Sequence, residues 1–194
     1  MDERPKGREA RDRLVQRAMD LWGRSVYLVA LGQMRSVSDA QDVAQDVFVQ
    51  LLRADAAFRD DEHLKAWLLR VCVNRCRELR RSAWFRRVDQ VDYVDALAAE
   101  ATEDEALRAL VEHPVWAALR ALPEKLRVVV QLYYVEECST DEIANIVGCR
   151  PTTVRSRLHR ARKLMKLDLE QEADHERRAD EGIPVAVEGR APAR

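Results

Sequence analysis

The sequence predicts an all-α protein built as two small helical domains joined by an acidic linker. Three observations carry that expectation. Apolar residues recur at helical spacing in several separate stretches, the 194 residues include only six Gly and six Pro, and opposite charges are segregated into blocks. A chain of this length accommodates one domain or two small ones. With 47% hydrophobic and 35% charged residues it can bury a core under a strongly charged surface.

Residues 1–10 are expected to be a disordered N-terminus. From about Arg11 to Arg35, the side chains Leu14, Ala18, Met19, Trp22, Val26, Val29 and Ala30 form one helical stripe. Ser38 followed by Gln41 reads as a capping box opening a second helix. Ala40, Val43, Ala44, Val47, Phe48, Leu51 and Leu52 share its apolar face, and Asp42, Gln45, Asp46 and Gln50 form the polar face opposite. A charged loop from Ala54 to Glu62 leads to a third helix, about His63 to Arg81, predicted to bury Leu64, Trp67, Leu68, Val71, Cys72 and Leu79. Three such helices make a bundle with one core, assigned to residues 11–87.

Residues 88–113 change character. They are acidic and Ala-rich with weak periodicity, a linker with room for a short helix and not a Gly/Ser tether. The second domain is assigned to residues 114–167. Val115, Leu119 and Leu122 form a short amphipathic helix stopped by Pro123, and Leu126, Val129, Val130, Leu132, Tyr133 and Val135 mark a buried helix after it. The run of three valines has strand propensity, which the surrounding helical periodicity overrides. Ser139 with Glu142 is a second capping box. Ile143, Ala144 and Val147 line the short helix that follows, Gly148 supplies a left-handed turn, and Pro151 suits the first turn of a last helix burying Val154, Leu158, Ala161 and Met165. Residues 168–194 are a charged tail, expected to be a helical extension giving way to disorder.

The net charge of −1 hides this segregation. Lys65 to Arg87 holds eight bases and one acid, Val88 to His113 eight acids and one base, and Arg150 to Lys166 seven bases and no acid. Two basic surfaces separated by an acidic connector suit nucleic acid, although solvated helix faces give the same pattern. The acids between Asp89 and Glu105 are expected to shield the basic faces of the free chain.

Two short helices around a glycine turn, the second strongly basic, form a helix-turn-helix pattern. On that second helix Thr152, Ser156, His159, Arg160 and Lys163 share the face left over once the apolar positions are removed, and Arg155, Arg157 and Arg162 flank it. Thr and Ser are short donors for base edges or phosphates, Arg can bond two acceptors of a guanine edge, and the flanking bases neutralise phosphates.

The stretch LPEKLRVVVQLYYVEECSTDEIANIVGCRPTTVRSRLHRARKLMK, Leu122 to Lys166, resembles region 4 of the sigma-70 family in its extracytoplasmic-function (ECF) group. SDAQDVAQDVFVQLLR from Ser38 and AFRDDEHLKAWLLRVCVNRC from Ala57 resemble region 2 of the same group. The pair occurs in the family's order and spacing, which makes it far more specific than either alone. The resemblance implies a three-helix region 2 and a helix-turn-helix region 4, with core RNA polymerase and promoter DNA as partners. It assigns Asp42, Gln45, Asp46 and Gln50 to the polymerase. Phe58 and Asn74 match positions that hold a flipped base of the minus-10 element, with Arg70, Arg77, Arg80 and Arg81 following the phosphates of the opened strand. The bland alternatives are that Phe58 anchors its loop on the bundle and that Asn74 only bridges backbone. Thr152, Thr153, Arg155, Ser156, His159, Arg160 and Lys163 would meet the minus-35 element. Here Arg150 stands between the turn's Cys149 and Pro151, where the family often has Pro directly after Cys. Many relatives are held inactive by an anti-sigma protein, and no segment of this sequence identifies one.

Other classes fit less well. There is no glycine-rich phosphate loop, no Ser/His/Asp arrangement and no metal signature, so neither an enzyme nor a cofactor is expected. The four cysteines, 72, 76, 138 and 149, contain no C-x-x-C pair and suit a reducing cytoplasm. Cys72 and Cys76 share a helix face near His63, a weak metal or redox possibility beside the commoner role of small buried hydrophobes. No apolar run approaches the roughly 20 residues that span a bilayer, and MDERPKGREARDR lacks the apolar stretch of a signal peptide. A stand-alone helix-turn-helix regulator remains the alternative. It would use the first domain as a dimerisation or sensing module; the acidic face of the second helix is poorly suited to a dimer seam, and the chain is expected to be a monomer when free.

Overall fold

The computed structural model describes residues 4–34, 36–81, 109 and 113–180, with side chains over 9–34, 36–81, 109 and 113–166. Among the described residues, regular structure is entirely helical: α1 (Arg4–Gln33), α2 (Val37–Arg53), α3 (Asp61–Arg81), α4 (Pro114–Ala121), α5 (Glu124–Tyr134), α6 (Thr140–Val147) and α7 (Pro151–Asp180). The first three form a bundle, and α5, α6 and α7 pack on one another with α4 against α7. Apart from Ala109 and His113, the acidic linker and its proposed shielding role lie outside the described residues, as do residues 181–194.

α1 begins at Arg4, so residues 4–10, expected to be disordered, are helical. Pro5 stands in the first turn, where its missing N–H costs no bond, and Glu9 pairs with Arg13 one turn on at 3.8 Å. The second helix also opens earlier than its serines suggest. Ser36, not Ser38, is the N-cap, its hydroxyl accepting from the Asp39 N–H at 2.9 Å. Val37 is thereby turned inward, and Ser38 is left exposed in the first turn. The bundle core is Ala18, Val26, Val29, Leu31, Val43, Val47, Leu51, Leu64, Leu68 and Cys72, with Met19 and Leu52 exposed at the edges of the predicted stripes.

In the second domain the local signals are realised. The Ser139 and Glu142 side chains each bond the other's backbone N–H, at 3.3 and 2.7 Å. Gly148 lies in the left-handed region (φ 71, ψ 51) and ends α6. α7 starts at Pro151 and turns Val154, Leu158 and Ala161 inward, with Met165 half-buried. Two assignments shift. Val115 is exposed because Trp116 takes the inward position of α4, and Val135 is exposed because it is the C-cap of α5.

The two domains are docked. α1 packs on α4 and α5, α3 packs on α6, and buried apolar residues of both domains form one cluster. Polar bonds stitch the seam. Gln33 Nε2 donates to Gln131 Oε1 at 2.6 Å with both residues buried. Lys65 Nζ donates to the Glu136 carbonyl at 2.9 Å, 4.0 Å from the Glu136 carboxylate and 4.9 Å from the centre of the Trp22 ring.

Candidate nucleic-acid interface

α7 presents its polar stripe outward. Thr152, Arg155, Ser156, His159, Arg160 and Lys163 are exposed and Thr153 is half-buried. Their spacing places them on one side of the helix, opposite the buried Val154, Leu158 and Ala161. The helix start is set by the Arg150 carbonyl, which accepts from Thr153 N–H at 2.9 Å and Val154 N–H at 3.2 Å. Ser156 Oγ donates back to the Thr153 carbonyl at 3.0 Å. Two flanking bases are held: Arg162 donates to the Tyr134 hydroxyl at 2.7 Å, and Arg157 reaches Cys149 Sγ at 3.9 Å. The outward set is a row of hydrogen-bond donors and basic side chains along one face of the helix.

On α3, positions 63, 67, 70, 74, 77 and 81 alternate by four and three residues and so form one stripe. Arg70, Asn74 and Arg81 are exposed, and Arg77 and Arg80 are half-buried. Arg77 Nη1 donates to the Val147 carbonyl at 3.2 Å, and Arg80 lies 3.6 Å from Glu124 Oε2 and donates to the Gln33 carbonyl at 3.3 Å. Phe58 is half-buried and lies edge-on to His63 and Trp67, each at 5.7 Å between ring centres. This packing supports the loop-anchor role, and it also builds an aromatic cluster at the N-terminal end of the stripe. His63 and Trp67 belong to that cluster and were missed as candidates. Their heptad spacing from Arg70, Asn74 and Arg77 was the available signal.

Between α3 and α6 opens a cleft of about 440 Å³ lined by His63, Trp67, Arg70, Glu142 and Asn145. A second cleft of about 470 Å³ is lined by Arg77, Arg80, Arg81, Lys125 and Arg157, with Glu124 as its acid.

On α2, Asp42, Gln45 and Gln50 are exposed. Asp46 is half-buried and accepts from Arg75 Nε at 2.7 Å, so part of its charge is committed within the bundle. That hydrogen bond raises the Arg75 pKa.

Cys72 and Cys76 are buried, and the hydrogen bond between them, with burial, pushes the Cys72 thiol well up. Burial likewise pushes the Cys138 thiol up to about 11. All four cysteines are unpaired, and no cluster of metal-ligating side chains occurs among the described residues. No described helix is long and apolar enough to cross a membrane.

Two family models match the chain: Sigma-70 region 2 over residues 19–86 and Sigma-70, region 4 over residues 112–165. The ECF RNA polymerase sigma-E factor of Escherichia coli (strain K12) is 34% identical over 137 residues, spanning 64% of this chain and 71% of that protein. The RNA polymerase sigma-H factor of Pseudomonas aeruginosa is 31% identical over 140 residues, spanning 67% and 72%. Among solved structures, the sigma factor RpoE of Bartonella quintana, in complex with the anti-sigma factor NepR, superposes with a TM-score of 0.63. That match has 21% sequence identity and covers 80% of this chain and 96% of that one.

Proposed function

The chain belongs to the sigma-70 family, in its extracytoplasmic-function group, and from that premise we propose how its surfaces divide the work of promoter recognition. It is a sigma factor, a non-enzymatic protein that directs transcription initiation through region 2 and region 4 domains, and core RNA polymerase is the partner of such factors. In our reading α7 enters the major groove of duplex at the minus-35 element. Arg155 and Arg160 bond base edges, Thr152, Thr153, Ser156 and His159 contribute shorter contacts, and Lys163 meets phosphate. α3 takes the unpaired strand at minus-10. Asn74 reads a base edge, the Phe58–Trp67 cluster offers stacking, and Arg70, Arg77, Arg80 and Arg81 neutralise phosphates. Asp42, Gln45 and Gln50 of α2, with the part-committed Asp46, meet a basic surface of the polymerase.

One observation supports this reading most: a donor-rich, uncovered stripe on the helix that follows a capped helix and a left-handed glycine turn. The chain acts as a monomer in the cytoplasm, where polymerase works. An anti-sigma protein, the kind of partner seen with the Bartonella factor, is its proposed inhibitor. The test is transcription with purified core polymerase on a genomic library. Promoter-dependent transcripts are expected, and selected promoters should lose activity with Arg155→Ala at minus-35 and with Asn74→Ala at minus-10. Transcripts insensitive to both substitutions would overturn the assignment.

A further inference from the structure

We propose that the cleft lined by α3, α5 and α7 is a binding site for an oligophosphate chain, free or carried by a nucleotide. The site shares Arg77, Arg80 and Arg81 with the reading of α3 just given but does not depend on it, since Lys125 and Arg157 have no part in that reading.

The cleft has a volume of about 470 Å³, within the roughly 300–1,000 Å³ of small-ligand sites. Its charge is one-sided. α3 contributes Arg77, Arg80 and Arg81, α5 contributes Lys125 and α7 contributes Arg157, and Glu124 is the one acid among the described residues that line it. The cleft between α3 and α6, of about 440 Å³, instead sets Arg59 and Arg70 against Asp60, Glu62 and Glu142. Two cavities of similar size on one helix thus differ in kind. One is nearly balanced, and the other carries an excess of four positive charges.

Like charges gathered in one concavity repel each other and concentrate counter-ions, so an anion that enters is held by all of them. The donors are only partly committed. Arg77 gives one N–H to the Val147 carbonyl at 3.2 Å, and Arg157 gives one to Cys149 Sγ at 3.9 Å. A guanidinium has five N–H groups, so both keep donors for a ligand. Lys125 is exposed and makes no hydrogen bond or ion pair with a described residue. Guanidinium forks match phosphate oxygens, and the ammonium adds a point charge. One phosphate carries a charge of about −2. A chain of two or three phosphates therefore balances the excess, whereas a single phosphate or carboxylate leaves half or more of it unmet. Half-exposed Cys149 lines the same cleft and reports its occupancy.

In the full-length chain, alkylation of Cys149 by iodoacetamide is followed by peptide mapping, beside thermal melts. Inorganic tripolyphosphate is compared with sulfate at matched ionic strength. Tripolyphosphate should bind with a Kd on the order of 0.1 mM, raise Tm and, at saturation, slow alkylation about tenfold; sulfate should do neither. Lys125→Glu and Arg157→Gln, which spare the α3 arginines, should each weaken tripolyphosphate binding about tenfold. Arg59→Gln, in the balanced cleft, should leave it unchanged. Protection that is absent, equalled by sulfate, or kept in both Lys125→Glu and Arg157→Gln overturns the site. ATP without metal separates the two sources of the chain: tighter binding than tripolyphosphate assigns the cleft to a nucleotide, and equal or weaker binding to free oligophosphate. Fluorescence anisotropy of a labelled random single-stranded oligonucleotide tests the shared arginines. Tripolyphosphate should displace it over the range that protects Cys149. An oligonucleotide retained there leaves the cleft standing and overturns the assignment of Arg77, Arg80 and Arg81 to the strand.

Discussion

The basic stripes of α7 and α3 carry similar chemistry and meet solvent differently. On α7, Arg155, Ser156, His159 and Arg160 are exposed, opposite the buried Val154, Leu158 and Ala161. On α3, Arg77 and Arg80 already hold groups of the second domain or of α1's last turn. A helix that reads duplex needs only to be presented rigidly, and α7 is fixed by its buried side. On α3 only Arg77 and Arg80 are engaged by the second domain, while Arg70 and Asn74 of the same stripe stay exposed. Charge alone did not distinguish the two faces; the neighbouring helix did.

The comparison can be broken or sharpened by experiment, beginning with the largest effect. Replacing Arg155 and Arg160 together by Ala should cost about 2–6 kcal/mol of binding to a selected duplex promoter. Single-strand binding should stay at the parent level in the same anisotropy assay; a parallel loss would show that the two faces are not separate. Ile143, fully buried in α6, a helix that packs on both α3 and α7, tests the opposite case. Ile143→Ala should lower unfolding free energy by about 2–5 kcal/mol in urea titration and should weaken both kinds of DNA binding.

A smaller effect concerns the cap that aims α7. Ser139→Ala should destabilise the fold by about 1 kcal/mol. The hydrogen bonds from Ser139 hold the Glu142 carboxyl below the usual carboxylate range. A depressed folded pKa contributes stability above the unfolded value, near 4.3, and loses it as pH falls through the folded value. The difference between Ser139→Ala and parent in thermal melts should therefore be full at pH 7 and shrink below about pH 4. The mildest test is chemical. With the Cys138 thiol pushed up to about 11 and Cys72 and Cys76 buried, half-exposed Cys149 should be alkylated first at neutral pH, as peptide mapping would show.

The parts of this fold that were legible in the sequence are those written in short-range bonds. Ser139 with Glu142, Gly148 and Pro151 each act on residues within a turn, so their types announce the helix-turn-helix. The stripe on α7 followed by subtracting buried positions. Where two residues compete locally, sequence alone decides poorly: Ser36 and Ser38 both suit a cap, and Val115 and Trp116 both suit the core. The docking was not legible at all. Arg120 meets Met34 across 86 residues and Gln131 meets Leu28 across 103, and no local pattern encodes such a meeting. Gly32, where a Cβ would overlap the Gln131 carboxamide, could be interpreted only with Gln131 beside it.

Lys65 offers a different use of the same seam. Its ammonium lies over the indole of Trp22, within the first domain, and its bond to the Glu136 carbonyl reaches into the second. A cation close to an indole perturbs the energy of the excited state. Were Glu136 drawn away, the ammonium would be free to move and the emission of Trp22 would shift with it. In a variant whose other tryptophans are replaced by Phe, the colour of one native ring becomes an optical gauge of domain separation, with no dye attached.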